Sequence, residues 1–280
     1  MDDSLYIGTC SWKYPSWKSF FYEGDEVDEY LGQYARHYRT VEIDQWFYSL
    51  GKSEVRLPDR ATVDRYNEQT PPAFRFTIKA PNALTSPFAY GSKSEFNPWF
   101  LSIDLLYLFL EHLAPLGEKC AMLLLQFPYL NRQVVTERAQ LTDRLAAFGA
   151  LLPNSVDVAI EVRNPKWVDR SWFEMLKEAG LRPVILSGYW MENFLGSVEA
   201  ALEVGFPSLC IRLHGEDRGE IERITNNEWD RIVLPKDEEI VGLAQLLKGI
   251  ESTVYLNVNN HYEGSAPMTI ARLKEIWERV

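Results

Sequence analysis

Six β-type segments of the sequence carry polar residues toward their C-terminal ends, and they do so with a shared parity. Side chains alternate across a strand, so every second residue shares a face. Glu42 and Asp44 share a face of segment 40–44, against Val41 and Ile43. Lys79 ends segment 74–79 on the face of Thr77, and Gln126 interrupts the apolar run of segment 121–127. Glu161 and Arg163 share a face of 156–163, Arg212 and His214 of 208–214, and Asn257 and Asn259 of 253–259. Burying unpaired charge costs several kcal/mol per group, so one polar face on six segments points to use rather than packing. Lys79, Arg163 and Arg212 suit an anionic ligand, because guanidinium and ammonium groups bind phosphate and carboxylate oxygens. Glu42 and Glu161 suit general acid/base work, with His214 assisting near neutral pH. Asn257 and Asn259 suit orientation of the ligand, and Asp44 and Gln126 line the same face. Trp12 and Tyr48 are the aromatics nearest the segment ends and are expected to face the ligand. The expected occupant is a small phosphorylated or carboxylated compound that touches Arg212 and at least one of Lys79 and Arg163.

Other chemistries fit less well. A divalent metal is the lesser alternative: one His and three carboxylates could ligate an ion, but adjacent cations oppose it and there is no HxH or HxxxH pair. No cofactor is therefore expected. No GxSxG motif is present. Cys10 ends its segment without an obvious partner in the sequence, and a small packed cysteine is the expectation. The aromatics Trp12, Tyr14, Trp17, Phe20, Phe21 and Tyr22 could stack on a base or a sugar, or plug the top of the fold.

Positioning six polar faces at one end requires parallel strands. Eight short apolar segments have β character: 5–10, 40–44, 74–79, 121–127, 156–163, 183–187, 208–214 and 253–259. Helical periodicity falls between and after them, at 27–38, 54–68, 101–116, 136–151, 171–179, 194–204, 237–250 and 267–280. Strand then helix, repeated eight times, predicts an α/β fold of the TIM type, a single (β/α)₈ barrel over 1–280. A doubly wound open sheet is the competing fold, but the first turn is not a GxGxxG sequence. The longest irregular stretches, 80–98 and 215–235, follow strands, where active-site loops gather.

Composition narrows the partners. The chain has 280 residues, 46% hydrophobic, with a formal net charge of −11. That charge disfavours nucleic acid and anionic membranes as partners of the general surface. The three cysteines are scattered, and the opening MDDSLYIGTC lacks the basic-then-apolar pattern of a signal peptide. The expected location is the cytoplasm, and no apolar run approaches a membrane span.

A family resemblance joins these motifs. IGTCSW (7–12), FY (21–22), YA (34–35), VEID (41–44) with FY (47–48), and FRFTIKAP (74–81) resemble the YecE-like family, also called domain of unknown function 72. LQFP (125–128), EVRNPKW (161–167), RLHG (212–215) and NVNN (257–260) continue the pattern in the family's order. The resemblance implies a TIM-type barrel and no particular reaction. It is similar in architecture to the endonuclease IV and xylose isomerase barrels, which by analogy implies a nucleic-acid role. The sequence departs from the family pattern at Asp44, where Asn is common, at Ser187, where Asp is common, and at Thr269, where Ala is common. Three functions follow as expectations: a hydrolase or lyase on a small anion, a nucleic-acid-binding or -processing protein, and a ligand-binding barrel without catalysis.

Overall fold

The computed structural model describes residues 3–18, 20–132, 135 and 137–280. Eight parallel strands form one sheet in the order β1-β8-β7-β6-β5-β4-β3-β2. They are β1 (Leu5–Thr9), β2 (Thr40–Ile43), β3 (Arg75–Lys79), β4 (Cys120–Gln126), β5 (Asp157–Glu161), β6 (Arg182–Gly188), β7 (Ser208–Gly215) and β8 (Thr253–Val258). The two end strands meet at a single parallel bridge, Cys10 to Glu42, where Ser11 N–H donates to the Glu42 carbonyl at 3.0 Å. The fold is thus a nearly closed TIM-type barrel with helices between its strands. Gly8 permits the closure, because a Cβ there would lie 2.1 Å from the Thr40 carbonyl oxygen.

The parity of the strands builds two apolar layers. Val41, Ile43, Phe76, Ile78, Leu123, Leu125, Ile211 and Leu213 face the helices in one large buried cluster. Met122, Leu124, Ala159, Val184, Cys210 and Tyr255 form a second cluster inside the barrel. These residues precede the polar ones on the same faces, so the interior is apolar below and polar toward the C-terminal mouth. Each fully buried aliphatic side chain contributes about 1.5–3 kcal/mol.

The helices lie close to the expected segments, with instructive differences. Segment 27–38 holds only a short helix, α1 (Tyr30–Tyr34), after a 3₁₀ turn at Val27–Glu29. Segment 54–68 becomes helical only at α2 (Arg60–Glu68), since Pro58 restricts the residue before it and Asp59 caps the helix by accepting from Thr62 N–H at 2.9 Å. Next come α3 (Ile103–Leu113) and α4 (Arg138–Gly149); Thr136, where that segment was expected to start, lies outside the described residues. Then follow α5 (Arg170–Glu178) and α6 (Phe194–Val204). The stretch 215–235 is not wholly irregular: it carries α7 (Arg218–Thr225), started by the Asp217 side chain accepting from Glu220 N–H at 3.0 Å. The chain ends with α8 (Asp237–Leu247) and α9 (Ala266–Arg279). Stretch 80–98 holds a 3₁₀ turn at Asn82–Leu84 and a bridge between Phe88 and Phe96. Among the described residues, no helix is long and apolar enough to cross a membrane.

Candidate functional site

Arg212 is the hub of the barrel mouth. It projects inward from β7 and is 1% exposed. Its Nε donates to Glu42 Oε2 at 2.8 Å and its Nη2 to Glu42 Oε1 at 2.6 Å, a two-point clamp reaching across to β2. Its Nη1 donates to Glu161 Oε2 at 2.5 Å and to Gln126 Oε1 at 3.2 Å. Asn257 from β8 donates to Glu42 Oε2 at 3.1 Å and to the Thr77 hydroxyl at 2.9 Å. Arg163, just past β5, pairs with Glu161 Oε1 at 2.7 Å. Burial works against the charge on Glu161, but Arg163 and Arg212 hold its carboxyl below the usual glutamate range.

Arg212 is thus flanked by two carboxylates and an amide. Glu42 gives both oxygens to that guanidinium and Glu161 one, so the two carboxylates hold the network together. One correction concerns Trp12. It is 2% exposed, packs edge-on against Tyr66 with ring centres 5.0 Å apart, and belongs to the core. Asn259 turns aside as well: its Oδ1 accepts from His261 N–H at 2.9 Å and meets His261 Nδ1 at 2.5 Å, while His261 Nε2 lies 3.1 Å from Glu222. It orders the β8 loop.

Other expected residues do line the opening. Lys79 is 9% exposed, its ammonium lies 3.9 Å above the Phe47 ring, and it makes no ion pair among the described residues. Burial, and then the nearby Arg212, lower its pKa from the ordinary 10.5. Arg163 lies under the Tyr189 ring at 4.2 Å, and its Nε has no hydrogen-bond partner among the described residues. Asp44, just past β2, is partly exposed; burial, and then Glu42, raise its carboxyl above the ordinary aspartate range. Tyr48 is 83% exposed on the rim. His214 is buried, and burial followed by the repulsion of Arg212 and Arg163 pushes its pKa well below the usual imidazole value.

Three further residues stand at the mouth: Cys10, read in the sequence as a packed cysteine without a partner, Thr77, read only as sharing the face of Lys79, and Tyr189, which the sequence reading missed. Cys10 Sγ lies 3.6 Å from His214 Nε2, and a Glu42 carboxylate oxygen lies within 4.8 Å of both. Thr77 shares the parity of Lys79 and could have been found from it. Tyr189 has a left-handed φ of 52° that places it over Arg163, and only the glycine before it hints at such a turn.

A barrel whose polar residues converge at the C-terminal ends of its strands defines a TIM-type protein with a candidate ligand site at the usual face. The chain belongs to the family described as "Protein of unknown function DUF72", which it matches over residues 6–280. It is 28% identical to the UPF0759 protein YecE of Escherichia coli (strain K12) over 177 residues, 63% of this chain and 55% of that protein. Its fold is similar to a DUF72 family protein from Thermotoga maritima, with TM-score 0.66, 20% identity and coverage of 98% of this chain and 99% of the other. A DUF72 family protein from Enterococcus faecalis matches with TM-score 0.67 and 18% identity, over 98% of this chain and 95% of the other. At such identities these structures speak for the fold alone.

Proposed function

We propose that this protein is an enzyme of the hydrolase or lyase type that holds a small phosphorylated or carboxylated compound at the barrel mouth. One observation carries the reading: Lys79 is nearly buried, makes no ion pair among the described residues, and shares the mouth with Arg163, whose Nε is unpartnered. A buried ammonium that no carboxylate touches directly is costly even with Glu42, Glu161 and Asp44 nearby, and an anionic ligand supplies a direct partner. Arg163 adds directed N–H donors beside it. Asp44 makes no ion pair among the described residues, and burial, then Glu42, raises its carboxyl above the ordinary aspartate range, which supports a proton-moving role for it beside the expected Glu42, Glu161 and His214. Melting in sodium sulfate against an ionic-strength-matched chloride control tests the reading. Sulfate protects the wild type more than the Lys79→Met variant; equal protection would reduce the effect to general salting and remove the anion site.

A second reading has its own observation. The rim is split by charge. Over β2 to β5, two adjoining shallow depressions of about 630 and 600 Å³ are lined by Tyr48, Tyr129, Arg56, Arg132, Lys166 and Arg138, the last paired with Asp169, with no Asp or Glu among the described lining residues. Over β6 and β7 the lining includes Glu192, Glu216, Asp217 and Glu239. Exposed tyrosines beside cations can stack bases and track a phosphate backbone, which favours a single strand lying on the basic half. The acidic whole favours the small anion.

A further inference from the structure

We propose that Cys10, Glu42 and His214 form a binding site for a thiolate-preferring divalent cation, zinc or cobalt(II), at the barrel mouth. The geometry comes first. Zinc binds sulfur at about 2.3 Å and imidazole nitrogen at about 2.0–2.1 Å in tetrahedral arrangement, which sets sulfur and nitrogen about 3.6 Å apart. Cys10 Sγ and His214 Nε2 stand 3.6 Å apart. A thiol-to-imidazole hydrogen bond has a similar length, so the spacing alone does not decide. The third group adds a carboxylate within reach. A Glu42 carboxylate oxygen, the Cys10 sulfur and a His214 ring nitrogen all lie within 4.8 Å of one another, and all three residues are buried. They come from the ends of β1 and β7 and from β2, so the barrel framework holds them in place.

Glu42 has capacity left. A carboxylate offers about four lone-pair sites. Arg212 Nη2 takes one on Oε1, and Arg212 Nε and Asn257 Nδ2 take two on Oε2. These same donors would fix the carboxylate as an oriented ligand, as outer partners do in metal sites.

The opposing term is the charge of Arg212. Its guanidinium already faces Glu42 and Glu161, and Arg163 also faces Glu161. Across the mouth, Glu42, Glu161 and Asp44 balance Arg212, Arg163 and Lys79 in formal charge. Binding exchanges the Cys10 thiol proton for the metal: the S–H bond breaks, the proton leaves to solvent and a metal–sulfur bond forms. The thiolate adds one negative charge and the dication two positive ones. With three protein ligands a tetrahedral ion keeps one position for water or substrate.

Cobalt(II) and zinc are the probes, added to reduced, metal-free protein. The wild type takes up one cobalt(II) per chain with a near-ultraviolet thiolate-to-cobalt band, which one equivalent of zinc removes. Cys10→Ser and His214→Gln lose the band and bind at least tenfold more weakly, while Cys120→Ser retains it. Zinc uptake by the wild type also releases about one proton at neutral pH, a readout that needs no variant. Absence of the band at stoichiometric cobalt, its survival in Cys10→Ser, or uptake without proton release overturns the proposal. The anion reading is separable, since sulfate protection depends on Lys79 and metal uptake on Cys10.

Discussion

Arg212 and Lys79 lie in one mouth, yet they should respond oppositely to removal of their charge. Arg212 is clamped between Glu42 and Glu161. Removing one partner of a buried ion pair strands the other, at about 3–5 kcal/mol. Arg212→Met is therefore expected to lose about that much stability, read as a lower denaturation midpoint in urea. Lys79→Met should hold its midpoint or raise it, because the ammonium has no ion pair among the described residues. Loss at both positions, by similar amounts, would mean that the nearby Glu42, Glu161 and Asp44 hold Lys79 as firmly as a direct ion pair would. The same lysine fixes a pH dependence. Its folded pKa lies below 10.5, so between the two values the unfolded chain binds more protons, and stability without ligand rises with pH across that window. Sulfate favours the protonated ammonium, so its binding is complete below the folded pKa and fades as pH rises through it. Sulfate does not titrate there itself, and Lys79→Arg should bind it at alkaline pH without the decline. A decline of equal size in Lys79→Arg would assign the titration elsewhere. Strand parity made the face of each residue legible from sequence alone. It could not show that Arg212 would meet two carboxylates from opposite sides of the barrel, because pairing across an interior depends on register and tilt.

Elements were legible where periodicity is long, and less so where one residue sets a boundary. All eight strands stand where the apolar runs predicted, within a few residues at each end. Pro58 and Asp59 delay α2, and Asp217 starts α7 in a stretch whose charge obscured any apolar stripe. The seam between β1 and β2 has no sequence signature except Gly8. Its missing side chain lets the Thr40 carbonyl come close enough to overlap any Cβ there. Gly8→Ala must push β1 from β2 or distort both, and overpacking of this kind costs about 1–3 kcal/mol, occasionally more. A midpoint shift at or above that range is expected, with faster amide exchange at Ser11, whose N–H spans the seam to Glu42. Unchanged exchange at Ser11 would show that the seam does not depend on the glycine. Asn164 serves the rim in another way. Its side chain accepts from Leu130 N–H at 3.0 Å and donates to the Leu130 carbonyl at 2.9 Å, tying the loops after β4 and β5.

At the scale of the whole molecule, charge decides between the two readings of the mouth. The chain carries −11, and its rim divides into a basic arc over β2 to β5 and an acidic arc over β6 and β7. The screening length at physiological salt is about 8 Å, so neither the net charge nor the basic arc acts on a polyanion from afar, and one that lies across the rim meets the acidic arc at close range. A small anion that enters the mouth meets Lys79 and Arg163 at close range, where screening is weak. A short single-stranded oligonucleotide with a fluorescent end provides the comparison. If it binds through Arg56, Arg132 and Lys166, the logarithm of affinity should fall with the logarithm of salt with a slope of about −2, the value for three phosphate contacts on a single strand. Binding of that kind is weak at physiological salt, so anisotropy is expected to rise only at low salt and to vanish when the three cations are replaced by alanine. Sulfate protection through Lys79 should persist in that triple variant, because the three residues line the outer depressions and Lys79 does not. Tight binding at physiological salt with a steeper slope would require more contacts than Arg56, Arg132 and Lys166 supply. The small-anion reading would then give way to the nucleic-acid one, with Tyr48, Tyr90 and Tyr129, all more than half exposed, as the stacking residues to replace next.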